Sequence, residues 1–373
     1  MKNLKIFTTN IEQKARDQID LLLEQDAFKN CKVRIMPDVH AGAGCVIGFT
    51  ADLGDKVIPN VVGVDIGCGM AWCITELKEK DIDLKALDEY IRQNIPSGMC
   101  VRLFALQSPI DLKQLYCYSE LKNVDGWLDK SMGTLGGGNH FIEIDKDIDG
   151  NIIFVVHTGS RNLGKQVCDI YQKKAIEHCS YREEMLKEKS HTITSLKMAG
   201  LQKAIPSALK QIEDKYKDRT KLPKDLCYIE GEEREHYLHD MRLCQQWAVY
   251  NRNVIIQTLL HGAKAMGKSG IIHHTIHNYI GDDNIVRKGA ISAYQDEYVL
   301  IPINMRDGCI IGRGKGNKDW NFSAPHGAGR IMSRNEARAK LNLKDYEDAM
   351  ISIYTTSVCK DTIDEAPMAY KPN

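Results

Sequence analysis

Apolar positions along the chain fall into two textures, one with helical spacing and one of short runs broken by glycine. Residues 11–28 place Ile11, Ala15, Ile19, Leu22 and Leu23 on one side of a helix, which predicts an early amphipathic helix. From Val33 to Trp72 glycines are frequent, apolar runs are short and Val-Ile dipeptides recur, as in strands joined by tight loops. Residues 83–94 return to helical spacing. Residues 152–157, Ile-Ile-Phe-Val-Val-His, form a continuous apolar run and predict a buried strand that ends in histidine. A helix is expected from Leu163 to about Cys179, followed by a lysine- and glutamate-rich stretch of weak periodicity over about 181–235. A long helix is expected over 235–264, with Leu238, Leu243, Trp247, Val254 and Leu259 among its apolar positions. Strands and glycine loops resume from 271 to 332. A helical stretch at about 163–264 between two glycine-rich, strand-like zones predicts one domain with a helical insertion. No internal repeat or low-complexity linker divides it.

Composition narrows this picture only in places. The 373 residues are 43% hydrophobic and 27% charged, enough for a sizeable core in one large domain or two. Lys+Arg and Asp+Glu are both 50, so a nucleic-acid partner cannot be argued from bulk charge and a basic groove must be local. No run of 18 apolar residues predicts a membrane span. The start, Met1-Lys2-Asn3-Leu4-Lys5, lacks a signal core, so the cytoplasm is the expected compartment. The 12 cysteines show no CxxC pairing, which is neither a zinc ribbon nor a secreted disulfide framework. Most are expected to be small buried residues.

Histidine changes the picture most. His178, His191, His236, His239 and His261 lie in helical or polar linking sequence, where a solvated or core role is the ordinary one. His40, His140, His157, His277 and His326 instead sit at the ends of apolar runs, beside Gly, Asn or Asp. A side chain leaving a strand into a loop is placed to face a cleft. Singly each has a structural explanation; together they point to a site. Gly63-Val64-Asp65-Ile66-Gly67-Cys68-Gly69 adds a carboxylate and a thiol on one tight loop, against the alternative of a turn cap and a buried small residue. Cys, His and carboxylate ligands suit Zn, Mn or Fe, and the residues alone do not choose among them. The loop Gly133-Thr134-Leu135-Gly136-Gly137-Gly138-Asn139-His140 could bring backbone N–H groups to a phosphate, yet it is neither a P-loop nor a dinucleotide fingerprint. His326-Gly327-Ala328-Gly329-Arg330 offers an imidazole with a nearby arginine, suited to phosphoryl transfer or to a plain turn. Lys210, Lys215, Lys217, Arg219, Lys221 and Lys224 could follow RNA phosphates, but the interleaved Glu213, Asp214 and Asp218 favour a solvated helix face.

Five of these segments resemble the RtcB family of RNA ligases. They are Met36-Pro37-Asp38-Val39-His40, the Gly63–Gly69 loop, Leu135–Phe141, His157-Thr158-Gly159-Ser160-Arg161 and His326–Arg330, in the family's order across nearly the whole chain. The tail Asp364-Glu365-Ala366-Pro367-Met368-Ala369-Tyr370-Lys371 is similar to the family's ending. The resemblance implies a single α+β domain with stacked mixed β-sheets around a deep metal-containing cleft, flanked by helices. It implies two manganese ions bridged by Cys68, one also held by Asp65 and His140, the other by His157 and His277. It makes His326 the nucleophile that attacks the α-phosphate of GTP, giving a histidine–GMP intermediate. It assigns guanylate contacts to Asn139, His140, Phe141, Ile142, Glu143, His277, Asn278, Pro302, Ile303, Asn304, Met305, Cys309, His326, Gly327, Ala328, Gly329 and Lys371. The implied substrates are RNA ends bearing a 3′-phosphate or 2′,3′-cyclic phosphate and a 5′-hydroxyl, in RNA repair or tRNA splicing. An archease-type activator is the implied candidate partner.

Two stretches depart from the family's pattern. Pro302-Ile303-Asn304-Met305, followed by Arg306-Asp307-Gly308, stands where a Pro-Gly-Ser-Met stretch usually touches the nucleotide, and Pro325 precedes His326 where Cys is common. Neither change falls on a ligand or the nucleophile. The rival readings are a two-metal phosphatase or cyclic phosphodiesterase, which has no need of His326 and Lys371, and a non-catalytic RNA-binding module, which has no need of the metal ligands.

Overall fold

The computed structural model describes residues 3–219 and 222–371, and among these the chain forms thirteen strands and nine α-helices. The strands are β1 Leu4–Ile6, β2 Val33–His40, β3 Ile47–Asp52, β4 Gly69–Ile74, β5 Phe141–Lys146, β6 Ile152–Thr158 and β7 His273–Ile276. They continue with β8 Asn278–Ile280, β9 Ile285–Lys288, β10 Ala290–Ser292, β11 Tyr298–Asn304, β12 Gly308–Arg313 and β13 Ser323–Pro325. The helices begin with α1 Gln13–Leu23, α2 Pro59–Val62, α3 Leu84–Asn94, α4 Asn162–Cys179 and α5 Arg182–Met198. α6 Ile205–Arg219, α7 Gly231–Gly262, α8 Arg334–Lys340 and α9 Leu343–Ala349 complete them.

The strands build two main sheets and two ribbons, an α+β arrangement. One sheet runs β1-β2-β3-β9-β8, with β1 parallel to β2 and the other pairs antiparallel. The other runs β5-β6-β4-β7 and is antiparallel throughout. The hairpin β11–β12 and the ribbon β10–β13 lie beside them.

Strand β6 is buried at all seven positions, which is why its sequence reads as a continuous apolar run rather than an alternation. Ala71, Cys73, Phe154 and Val156 pack against Ile255, Ile256 and Leu259 of α7 on one face of its sheet. Met70, Trp72, Ile153 and Val155 meet Leu300 and Ile311 of the β11–β12 hairpin on the other. The sheet is thus covered by a helix on one side and a hairpin on the other.

Helix α1 buries Ala15, Ile19 and Leu22, as its apolar stripe predicts. The weakly periodic stretch becomes the packed pair α5 and α6, whose narrow contact around Ile212 and Tyr216 leaves most positions in water. Lys189–Glu213 (2.5 Å) and Lys215–Glu188 (2.7 Å) join the pair, so part of its charge is spent internally. Lys221 lies outside the described residues. No described helix is long and apolar enough to cross a membrane.

Phe154 is fully buried between β6 and α7. Its replacement by alanine is expected to cost about 3–5 kcal/mol of folding stability, by lost transfer energy and the cavity left behind. A lower urea midpoint at unchanged slope checks this; an unshifted midpoint contradicts it.

Candidate active site

Cys68 closes the loop between α2 and β4, His140 precedes β5, His157 lies near the end of β6, and His277 links β7 to β8. Because β4 pairs with both β6 and β7, these positions meet at one end of the sheet. The Cys68 Sγ atom lies 3.3 Å from His157 Nε2 and 3.6 Å from His140 Nε2. His157 Nε2 is 3.4 Å from His277 Nε2, and His140 Nε2 is 3.0 Å from Asp65 Oδ2. The donors form two groups sharing the thiol: Asp65, Cys68 and His140 in one, Cys68, His157 and His277 in the other.

The outer nitrogens decide what the inner ones do. His140 Nδ1 is 3.0 Å from the Leu135 carbonyl and His157 Nδ1 is 2.8 Å from the Asn139 carbonyl, so each Nδ1–H donates outward. That tautomer leaves both Nε2 lone pairs aimed at the thiol. Converging lone pairs with hardly a proton between them suit a cation, so the donor set fits a metal. Burial holds His157 down to about 3 and pushes His277 well below the usual imidazole range, which keeps both neutral and able to ligate. Burial, then the Asp65 charge, pushes the Cys68 thiol up.

The ligand loops are pinned from behind by two adjacent residues of α7, both fully buried. Asn251 Oδ1 accepts from Gly133 N (2.7 Å) and Thr134 N (3.2 Å), while its Nδ2 donates to the Thr134 and Gly159 carbonyls. Arg252 Nη1 donates to Gly67 O (2.9 Å) and Thr158 O (2.7 Å), the residues beside Cys68 and His157. At Gly159 a Cβ atom would stand 2.2 Å from Asp65 Oδ1, so only glycine admits that carboxylate. Gly136, at φ +90°, likewise admits Arg161 and His140. The glycine-rich loop is therefore shaped for close packing. The N–H groups of Gly133, Thr134 and Leu135 are taken by Asn251 and Pro96, and are not free for a phosphate.

His326 follows β13 and stacks at a tilt on His277, ring centroids 4.9 Å apart. Its Nδ1 lies 2.6 Å from Oδ2 of Asp38, a buried carboxylate on β2 that also accepts from the His326 backbone N–H at 3.2 Å. With Nδ1 so engaged, Nε2 is the ring nitrogen that Asp38 does not hold. Lys371 Nζ donates to Pro37 O at 2.8 Å, so the C-terminal lysine reaches the same pocket, where burial lowers its pKa. Arg330 does not face this pocket. It binds the Met332 carbonyl, Glu365 and Tyr370, so it anchors the tail that carries Lys371 rather than stabilising charge at His326. His40 stays outside the metal cluster, its Nδ1 against the Asp38 carbonyl.

The remaining expected contacts line the cleft or its walls. Phe141 packs edge-on to His157 at 5.4 Å. Glu143 and Asp145 share one face of β5 and look onto Cys309 of β12, whose thiol lies 3.5 Å from Glu143 Oε2. The hairpin covers them in part, so both are half-buried. Burial, then the Asp145 charge, pushes Glu143 up to about 8, and burial pushes Asp145 up to about 6. Ile142 and Ile303 point into apolar core and Met305 packs near Tyr346, so their side chains are spent on packing. Asn304 caps its own turn by accepting from the Arg306 and Asp307 N–H groups, and Ala328 N donates to Pro302 O, tying the His326 loop to the hairpin. Asn278 donates to the Asp65 carbonyl and accepts from Gly289 N, fixing the ligand loop; Gly327 and Gly329 complete the His326 turn, with Gly329 O accepting from Lys371 N.

Sequence reasoning missed the roles of Asp38, Asn251 and Arg252. A signal existed for Arg252: it occupies an apolar-face position of α7, in step with Ala248, Ile255 and Leu259. Asp38 stands in a recognised segment, but its partner is 288 residues away.

Together these features define an α+β protein with a thiol-centred donor cluster that could hold a metal, beside a carboxylate-held histidine. The family model described as tRNA-splicing ligase RtcB matches residues 25–124 and 119–373. The chain is 30% identical over 411 residues to the RNA-splicing ligase RtcB of Escherichia coli (strain K12), covering 99% of this chain and 90% of that protein. It is 27% identical to the tRNA-splicing ligase RtcB of Aeropyrum pernix, over 90% of this chain and 81% of that one. The corresponding protein of Methanococcus maripaludis is 25% identical over the same shares. The chain belongs to the RtcB family of RNA ligases.

A cation held between these donors stabilises the folded state by binding it preferentially. Mn2+ at a hundredfold excess over its Kd is expected to add about 2.7 kcal/mol, read as a rise in Tm. Cys68→Ala is expected to lose most of that rise, because the thiol belongs to both ligand groups. Equal rises in the two proteins would remove Cys68 from the ligand set.

Proposed function

We propose that this chain is a GTP- and manganese-dependent ligase that joins RNA 3′-phosphate or 2′,3′-cyclic phosphate ends to 5′-hydroxyl ends, in RNA repair or tRNA splicing. The observation that carries the reading is His326, its Nδ1 held 2.6 Å from Asp38 and its ring against that of the metal-group residue His277. In this reading Asp65, Cys68 and His140 hold one manganese ion, and Cys68, His157 and His277 the other. The ions neutralise phosphate charge and polarise the phosphoryl oxygens when bound.

His326 Nε2 attacks the α-phosphorus of GTP, forming a P–N bond as the bond to the β-phosphate oxygen breaks and pyrophosphate leaves. Asp38 keeps the proton on Nδ1 and meets the positive charge that develops on the ring. The RNA 3′-phosphate then takes the guanylyl group from His326. Attack by the 5′-hydroxyl on that activated phosphate forms the new phosphodiester and expels GMP. A cyclic end is hydrolysed to the 3′-phosphate first. Lys371 offers its ammonium to the nucleotide phosphates, and Asn139, His140, Phe141 and the His326 turn line the nucleotide cleft. Glu143 reads guanine: on binding, the N1–H and exocyclic-amine donors offset the burial that raises its pKa and hold it as a carboxylate that accepts from both, whereas adenine presents an acceptor at N1.

Incubation with α-labelled GTP and manganese is expected to leave acid-labile label on the wild-type protein and none on His326→Ala. Asp38→Asn, which keeps the shape and loses the charge, is expected to label about ten- to a hundredfold more slowly, the cost of a lost charged hydrogen bond. Label on the alanine variant would move the nucleophile elsewhere.

Glu143→Gln should bind manganese normally yet lose much of its preference for GTP over ATP, about 1–3 kcal/mol for an unpaired polar partner. Labelling rates with the two nucleotides decide this; an unchanged preference returns Glu143 to a purely structural role.

A further inference from the structure

Two carboxyl groups and a thiol face one another across β5 and β12, with the ligand atoms of Glu143, Asp145 and Cys309 all within 4.8 Å. Like charges at this distance repel, and the Cys309 thiol contacts both carboxyl groups, lying 3.5 Å from Glu143 Oε2. The cluster belongs to the cleft already described. Phe141, on the same face of β5, packs on His157. Cys309 pairs across the hairpin with Pro302, whose carbonyl anchors Ala328 beside His326. A group bound at His326 and reaching along β5 therefore meets Glu143 first and Asp145 two residues further on.

The chemistry that satisfies two neighbouring acceptors is an edge with more than two N–H donors. Guanine has such an edge: N1–H and the two protons of its 2-amino group. One carboxylate accepts from N1–H and the nearer amino proton, leaving the outer amino proton without a partner. We propose that Asp145 is a second specificity residue of this site, accepting the outer 2-amino proton of the guanine that Glu143 holds. The inference rests on the nucleotide reading above and adds to it a second acceptor for the 2-amino group. Glu143 separates guanine from adenine, and Asp145 strengthens the separation of guanine from hypoxanthine, which keeps N1–H and lacks the amine that both carboxylates contact.

The test is labelling of the manganese-loaded full chain by GTP, ITP and ATP, each labelled at the α-phosphate. Wild type is expected to use GTP about a hundredfold better than ITP, about tenfold for each of the two hydrogen bonds that the amine makes to charged acceptors. Asp145→Ala and Asp145→Ser are expected to lower the GTP-over-ITP preference about tenfold while GTP remains preferred over ATP. Two variants are used so that distortion peculiar to one side chain is not mistaken for specificity, and manganese content is measured on each. An unchanged GTP-to-ITP ratio in both variants overturns the proposal. A lowered manganese content with an unchanged ratio overturns it too, and makes the cluster a cation site. If wild type takes label from none of the three nucleotides, the nucleotide reading itself fails, which the variant ratios would not have produced.

Discussion

The Cys68 thiol, buried between two imidazole nitrogens at 3.3 and 3.6 Å, is the contact on which the rest of the arrangement depends. Lone pairs aimed at one another in a buried place are costly, and they hold position only where the surrounding chain over-determines them. That constraint accounts for the unusual features nearby. A long helix brings a buried asparagine and a buried arginine to the backs of three ligand loops. Glycines stand where a Cβ would strike Asp65 or Arg161. The strand order β6-β4-β7 brings His157, Cys68 and His277 to one sheet end. Remove the need for a fixed cluster and none of these has an obvious purpose.

The second half of the pocket is held on a different principle. His326 is positioned by one short hydrogen bond to Asp38, from a strand of the other sheet. The C-terminal tail closes over the same place, tied by Arg330 to Glu365 and Tyr370 so that Lys371 reaches Pro37. His326 thus lies where the two sheets meet, with the thiol-centred donor cluster on one side and a carboxylate on the other. Its ring contacts His277, one of those donors. The departures at Ile303, Asn304 and Pro325 leave this geometry intact: Ile303 packs in the core, Asn304 caps a turn, and Pro325 ends β13 in register with Ala290.

Much of the framework was legible in the residues. The stripe of Ala15, Ile19 and Leu22 marks α1, and the run Ile152–Val156 marks the doubly buried β6. The loop Asp65–Cys68 and the strand-end histidines mark the site, because such residue types beside glycine have few structural uses. The α5–α6 pair was harder to read, since two mostly solvated helices need no wide apolar stripe and so leave little periodic trace. Glu143 and Asp145 also read as a wet strand face, because alternation along β5 shows that they share a side and not what lies over it.

Local sequence determined the elements, the ligand types and the loops that carry them, since these follow from spacing, turn chemistry and side-chain donors within a few residues. Tertiary structure decided the pairings across long separations. Asp38 meets His326 across 288 residues, Glu143 meets Cys309 across 166, and Arg252 reaches back 185 residues to Gly67. The reason is that a hydrogen bond leaves no mark on the spacing of either partner: each residue keeps the same identity whether it faces water, a metal or a carboxylate. Only the packing of the two sheets and α7 around one buried thiol chooses among those neighbours.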